Sequence, residues 1–188
     1  GPTIEGGAKL VGIDLQTDEV AKKVVFPADV ALETTYLNDV RFDMARGEGG
    51  MAYITDSTGS GENGLIVADL ASGDSWRRLH KHPATRADDS FVPIVEGRPM
   101  MKQPTPDAEP APMTVGADGI AIDTERGRLY FRPLSGHGLF SVSLDALSDP
   151  DASDKDVAET VREEARRNFA SDSIESDARS RIYLTNYE

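Results

Sequence analysis

Three residues in this 188-residue chain lead separate stretches in the same way. Asn38 opens Asn38-Asp39-Val40-Arg41-Phe42-Asp43. Asp118 opens Asp118-Gly119-Ile120-Ala121-Ile122-Asp123, and Asp172 opens Asp172-Ser173-Ile174-Glu175-Ser176-Asp177. Each stretch has Asn or Asp first, Val or Ile third and Asp last. Oxygen-bearing side chains of this kind suit a hard cation, Ca²⁺ first because its coordination is flexible and Mg²⁺ second. No nitrogen or sulfur ligand accompanies them, so Zn²⁺ is not expected. Asn and Asp also stand before strands simply as turn formers, because their side chains bond the nearby backbone. What sets these three apart is their common register. Other chemistries find no support. The chain has no Cys, and it lacks the G-x-S-x-G, G-x-x-x-x-G-K and H-E-x-x-H patterns of serine hydrolases, P-loops and zinc proteases. His80, His82 and His137 fall in loop segments and read as solvated. Arg132 follows Phe131 in an otherwise apolar run; it reads as the partner of an acid between sheets or as a contact for an anionic ligand.

The elements that must position these residues are strands. Each six-residue stretch is followed by a short polar turn (44–50, 124–127, 178–180) and a second apolar run (51–55, 128–131, 181–185), with the period-2 alternation of paired strands. Outer strands follow at 64–70, 75–79 and 139–144. The N-terminal runs 9–15 and 20–26 form an outer hairpin with no inner partner, whereas 174–187 forms an inner hairpin with no outer one. The expected organisation of residues 1–188 is a single partial β-propeller domain, all-β, of about three blades, half of a six-bladed ring. It comprises a half blade (8–27), a blade (36–79), a proline-rich insertion (80–116, an ordered loop or a mobile flap) and a second blade (117–148). A helical or irregular insertion (149–169) and a half blade (172–187) follow. In the second insertion Ser153 or Asp154 is expected to cap a helix with Val157, Val161 and Ala165 as its apolar stripe. Rotation about the propeller axis brings the first residues of the innermost strands to one channel mouth, so Asn38, Asp118 and Asp172 are expected to converge there. Asp43, Asp123 and Asp177 fall at the far ends of those strands as turn formers.

An open fan of blades leaves two unpaired sheet edges. The chain is therefore expected to be half of a longer protein, or one of two copies whose half blades combine in a homodimeric ring. The opening Gly1-Pro2 in place of Met fits a processed end. With 33 acidic and 20 basic residues the net charge is −13, which argues against nucleic acid as a partner. No apolar run approaches the roughly 18 residues of a membrane span.

Residues 36–43 (YLNDVRFD), 52–57 (AYITDS), 64–70 (GLIVADL), 115–123 (VGADGIAID), 129–136 (LYFRPLSG) and 181–188 (RIYLTNYE) together resemble the bacterial branch of the major royal jelly protein/yellow family. That family is related to the gluconolactonase/senescence-marker propellers. The resemblance implies a six-bladed propeller and a secreted or periplasmic protein. From the gluconolactonase relatives it implies a divalent cation held by inner-strand Asn and Asp residues plus a Glu from another blade; Glu5 and Glu33 are present, and neither is assigned to that role. Three functions follow. The first is a yellow-type protein binding a small molecule at the channel mouth under the proline-rich loop, through Asn38, Asp118, Asp172 and Arg132, where acidic side chains suit an amine. The second is a divalent-cation-dependent lactonase with Asn38, Asp118 and Asp172 on the metal and Asp172 as base. The third is a non-catalytic interaction module.

Overall fold

The structure, a computed structural model, describes Ile4, residues 6–167 and residues 169–188. Gly1, Pro2 and Glu5 lie outside the described residues. In chain order, β1 (Lys9–Ile13) pairs with β2 (Val20–Val25). Then β3 (Leu37–Asp43), β4 (Met51–Asp56), β5 (Gly64–Asp69) and β6 (Ser75–Arg78) make a four-stranded antiparallel sheet in sequential order. Two small hairpins follow, β7 (Ile94–Val95) with β8 (Arg98–Pro99), and β9 (Met101–Lys102) with β10 (Ala111–Pro112). A second four-stranded sheet contains β11 (Ala117–Asp123), β12 (Arg128–Pro133) and β13 (Gly138–Ser143). After the short helices α1 (Leu144–Ser148) and α2 (Asp154–Glu159), β14 (Arg162–Arg166) completes that sheet. The last pair is β15 (Ile174–Ser176) with β16 (Ile182–Leu184). The chain is an all-β propeller fan, two full blades flanked by two half blades.

One boundary differs from the sequence reading. Segment 149–169, expected as an insertion outside the blade, supplies its fourth strand. The α2 helix starts where Ser153 accepts a hydrogen bond from the Asp156 amide. It ends at Glu159, so the expected stripe stops at Val157, while Ala165 lies in β14. The sequence Arg-Glu-Glu-Ala-Arg hides the strand because an outer edge strand exposes most of its side chains.

Every residue of β4 and of β12 is buried, because both faces of a blade are covered by its neighbours. Alternation divides the side chains between two cores. Met51, Tyr53, Leu65 and Val67 of the first blade meet Ile120, Leu129, Phe131 and Val142 of the second. On the other face, Ala52, Ile54, Ile66 and Ala68 pack on Val24 and Phe26 beside the N-terminal hairpin. The second blade turns Ala121, Tyr130 and Leu139 toward Ile174 of the last hairpin. Each fully buried large apolar side chain contributes about 1.5–3 kcal/mol. Arg41 of β3 donates to the Ile174 carbonyl at 3.1 Å and pairs with Glu175 at 3.1 Å, so three successive inner strands line one axis.

Candidate functional site

Both full blades carry a β-bulge at the same place. In β3, Leu37 faces Asp56 and Val40 faces Ile54, so Asn38 and Asp39 together oppose Thr55. In β11, Ala117 faces Pro133 and Ile120 faces Phe131, so Asp118 and Gly119 together oppose Arg132. A bulge of this type adds a residue on one strand and re-aims its side chain. The aligned residues Asn38 and Asp118 are the first of each bulged pair, and both point into one hollow.

There the Asn38 amide donates to Oδ1 of Asp118, and Ser57 Oγ lies 2.8 Å from the same oxygen. Ser57 Oγ also lies 2.7 Å from the Ala117 carbonyl, and Thr55 Oγ1 donates to the Asp118 carbonyl at 2.9 Å. The first blade thus grips the bulge of the second by side chain and backbone. Asp172 belongs to the next inner hairpin. A Cβ on Gly119 would stand 2.8 Å from the Asp172 carbonyl oxygen and 3.1 Å from the Ile174 nitrogen, so glycine lets the two inner strands approach. Asp118 is raised to a pKa of about 6, chiefly by burial and then by the Asp172 carboxyl in hydrogen-bonding reach, while Ser57 and Asn38 pull the other way.

The three residues line a hollow of about 420 Å³, together with Ser57 and the apolar surfaces of Met113, Val115 and Leu134. Met113 and Val115 come from the end of the proline-rich segment. Ser135 ties that end down: Val115 N donates to Ser135 Oγ at 3.0 Å, and Ser135 Oγ donates to the Met113 carbonyl at 2.7 Å. Tyr36 also lines the hollow; its amide donates to Asp56 Oδ1 at 2.9 Å, and buried Asp56 is paired to Arg77 at 2.7 Å. Among the described residues no group of three or more His, Cys, Asp or Glu is placed to hold a metal. The donor set at the hollow is two carboxyls and one amide, all able to offer oxygen to a hard cation.

Arg132 is not brought to the hollow. It is fully buried and donates through Nη2 to the carbonyls of Gly136 (2.9 Å) and Phe169 (3.3 Å). Its Nε and Nη1 have no partner among the described residues, and burial lowers its pKa. Tyr187 stands near it, pushed up to about 12 chiefly by burial, and donates its phenol to the Leu134 carbonyl at 2.7 Å. Asp43, Asp123 and Asp177 each accept a backbone amide in their turn and pair with an arginine, Arg46, Arg126 and Arg181. His80 accepts from Arg77, His82 from the Ala84 amide, and His137 contacts Glu188 and the Phe91 ring. None of the three lines the hollow. The hollow residue that the repeat did not single out is Ser57, although the Asp56-Ser57 end of the second strand was its visible signal.

The family model for "Major royal jelly protein" matches residues 2–188. Major royal jelly protein 3 of Apis mellifera is 27% identical over 153 residues, covering 79% of this chain and 25% of its own length. Major royal jelly protein 1 of the same organism is 26% identical over 156 residues, covering 79% of this chain and 33% of its own length. The chain therefore spans a third or less of these relatives. Among solved structures, Kuenenia stuttgartiensis hydrazine synthase matches with a TM-score of 0.57 at 14% identity, over 95% of this chain and 49% of that one. That likeness concerns the fold alone.

Proposed function

This chain belongs to the major royal jelly protein family, and from that premise we propose that it binds a small molecule in the hollow where Asn38, Asp118 and Asp172 meet. The observation that carries this reading is the convergence of rotationally equivalent bulge residues on one concave surface, with an acid buried at its base. The ligand we favour is a small amine. Its ammonium group meets the Asp118 and Asp172 carboxyls, and its apolar body rests on Met113, Val115 and Leu134. A cation there offsets the burial and the neighbouring Asp172 charge that disfavour the ionised form of Asp118. Calorimetric titration with phenethylamine tests it, with absence of saturable heat as the outcome of an inert interaction module.

A second reading rests on the same pair of carboxyls. A divalent cation, Ca²⁺ before Mg²⁺, would balance these two carboxyls, held by Asn38, Asp118 and Asp172. Bound, it would supply polarisation of an ester carbonyl, as in a lactonase. The protein's own part would be Asp172 receiving a proton from water. Calcium-dependent thermal stabilisation that vanishes in Asp118→Asn and Asp172→Asn would favour it. In either reading the two half blades are completed by a second half ring, from a second copy or from the rest of a longer chain, to give six blades. A secreted or periplasmic location rests on family membership alone.

A further inference from the structure

The second blade carries another depression at its opposite end, beyond the turn that joins β11 to β12. It has a volume of about 630 Å³, and Arg126, Arg128 and Arg162 reach it from the turn, from β12 and from β14. Arg128 is the unusual member. It is more than nine-tenths buried, yet no carboxylate pairs with it among the described residues. Its Nε and Nη2 lie 3.0 and 2.7 Å from Ser141 Oγ, and Nη2 donates to the Thr160 carbonyl at 2.9 Å. These acceptors are all neutral, and Nη1 has no protein partner among the described residues. Arg162 has no side-chain hydrogen bond or ion pair among the described residues. Burial, and after it the Arg162 charge, lowers the pKa of Arg128, against the opposing pull of the Glu164 carboxylate.

Two acids share the depression, and both are engaged. Asp145 pairs with Arg46 at 2.5 Å, and Glu164 Oε1 accepts from Ser141 Oγ at 2.5 Å. Arg126 is partly committed, to the Ser180 carbonyl at 2.7 Å and to Asp123 at 3.4 Å. Arg128 is thus a desolvated guanidinium with no carboxylate in direct contact, Arg162 stands unpaired beside it among the described residues, and Glu164 is the one acid of the depression left to balance the two. A buried cation is stable when an anion completes it, and planar guanidinium groups receive phosphate or carboxylate oxygens in pairs.

We propose that this depression binds a small molecule through a phosphate or carboxylate group, received by Arg128 and Arg162. It is separate from the hollow at Asp118 and does not depend on that assignment. The test is calorimetric titration of the whole chain with inorganic phosphate and with citrate, against KCl at equal ionic strength. Saturable binding is expected for at least one of them; which one identifies the group as phosphate or carboxylate. Arg162→Gln, whose side chain supports no folded contact, is expected to weaken that binding about tenfold or more. Arg98→Gln, the same charge change on the β8 hairpin, and Asp118→Asn are expected to leave it unchanged. The proposal is overturned if neither oxyanion binds beyond KCl, or if Arg98→Gln weakens binding as much as Arg162→Gln.

Discussion

The side-chain amide of Asn38 donates to Oδ1 of Asp118, a residue 80 positions further along the chain and one blade away. Both residues stand in equivalent bulges, so the contact joins two copies of one structural position. Ser57 supplies a second donor, its hydroxyl, to the same oxygen. Asp118 is consequently held in place by its neighbours while burial and Asp172 favour its protonated form.

This arrangement makes a pH-dependent prediction. The folded protein holds the Asp118 proton more tightly than the unfolded chain, with a pKa of about 6 against 3.8. Its contribution to stability is complete below the unfolded value and is lost as pH rises through about 6. Asn at position 118 keeps the acceptor oxygen and never ionises. The stability of Asp118→Asn relative to the native chain should therefore rise between pH 4 and 7, by up to about 3 kcal/mol. Urea unfolding of both proteins across that range measures it; a difference that stays flat with pH would contradict the assignment.

Close approach of the inner strands predicts the effect of a single methyl group. Gly119→Ala places a Cβ against the Asp172 carbonyl at 2.8 Å, where only backbone can yield. A cost of about 1–3 kcal/mol is expected, with a lower melting temperature. An unchanged melting temperature would mean that the half blade does not seat against β11 as described.

The wall of the hollow at Tyr36 depends on a buried ion pair. Asp56 is fully buried and accepts from Arg77, from Thr35 Oγ1 at 2.8 Å, and from the amides of Tyr36 and Thr58 at 2.9 and 3.1 Å. Asp56→Ala leaves the Arg77 charge without its carboxylate and should cost about 3–5 kcal/mol. Urea denaturation reads the loss, and a change under about 1 kcal/mol would show that water reaches Arg77 freely.

Much of this was legible from the chain alone. The three Asn- or Asp-led stretches, each followed by a polar turn and a second apolar run, read as inner hairpins of serial blades despite their uneven spacing, and the turn roles of Asp43, Asp123 and Asp177 follow from residue type. The bulges were not legible, because one extra residue in a strand leaves the alternation on either side intact. Nor was β14, whose exposed, charged side chains carry no strand signal. Arg132 looked available for a ligand because sequence does not reveal that backbone carbonyls of Gly136 and Phe169 enclose it. The arginine depression was invisible for a related reason: Arg128 and Arg162 lie 34 positions apart and meet only when β12 and β14 share a sheet.

The half blades make their own prediction. Val11, Ile13 and Val25 of the first hairpin and Tyr183 of the last are exposed, on two-stranded sheets with unpaired edges. If two copies close a ring, light scattering of this chain should give a mass near twice 20.3 kDa. A monodisperse 20.3 kDa species would assign ring closure to the rest of a longer chain instead.

The convergence of Asn38, Asp118 and Asp172 on one ligand is tested most directly by calorimetric titration with phenethylamine at pH 7.5. A single saturable site is predicted in the native chain, weakened about tenfold or more in Asp118→Asn and in Asp172→Asn alike. Saturable binding that both variants retain at native affinity would contradict the account, as would no saturable heat from the native chain.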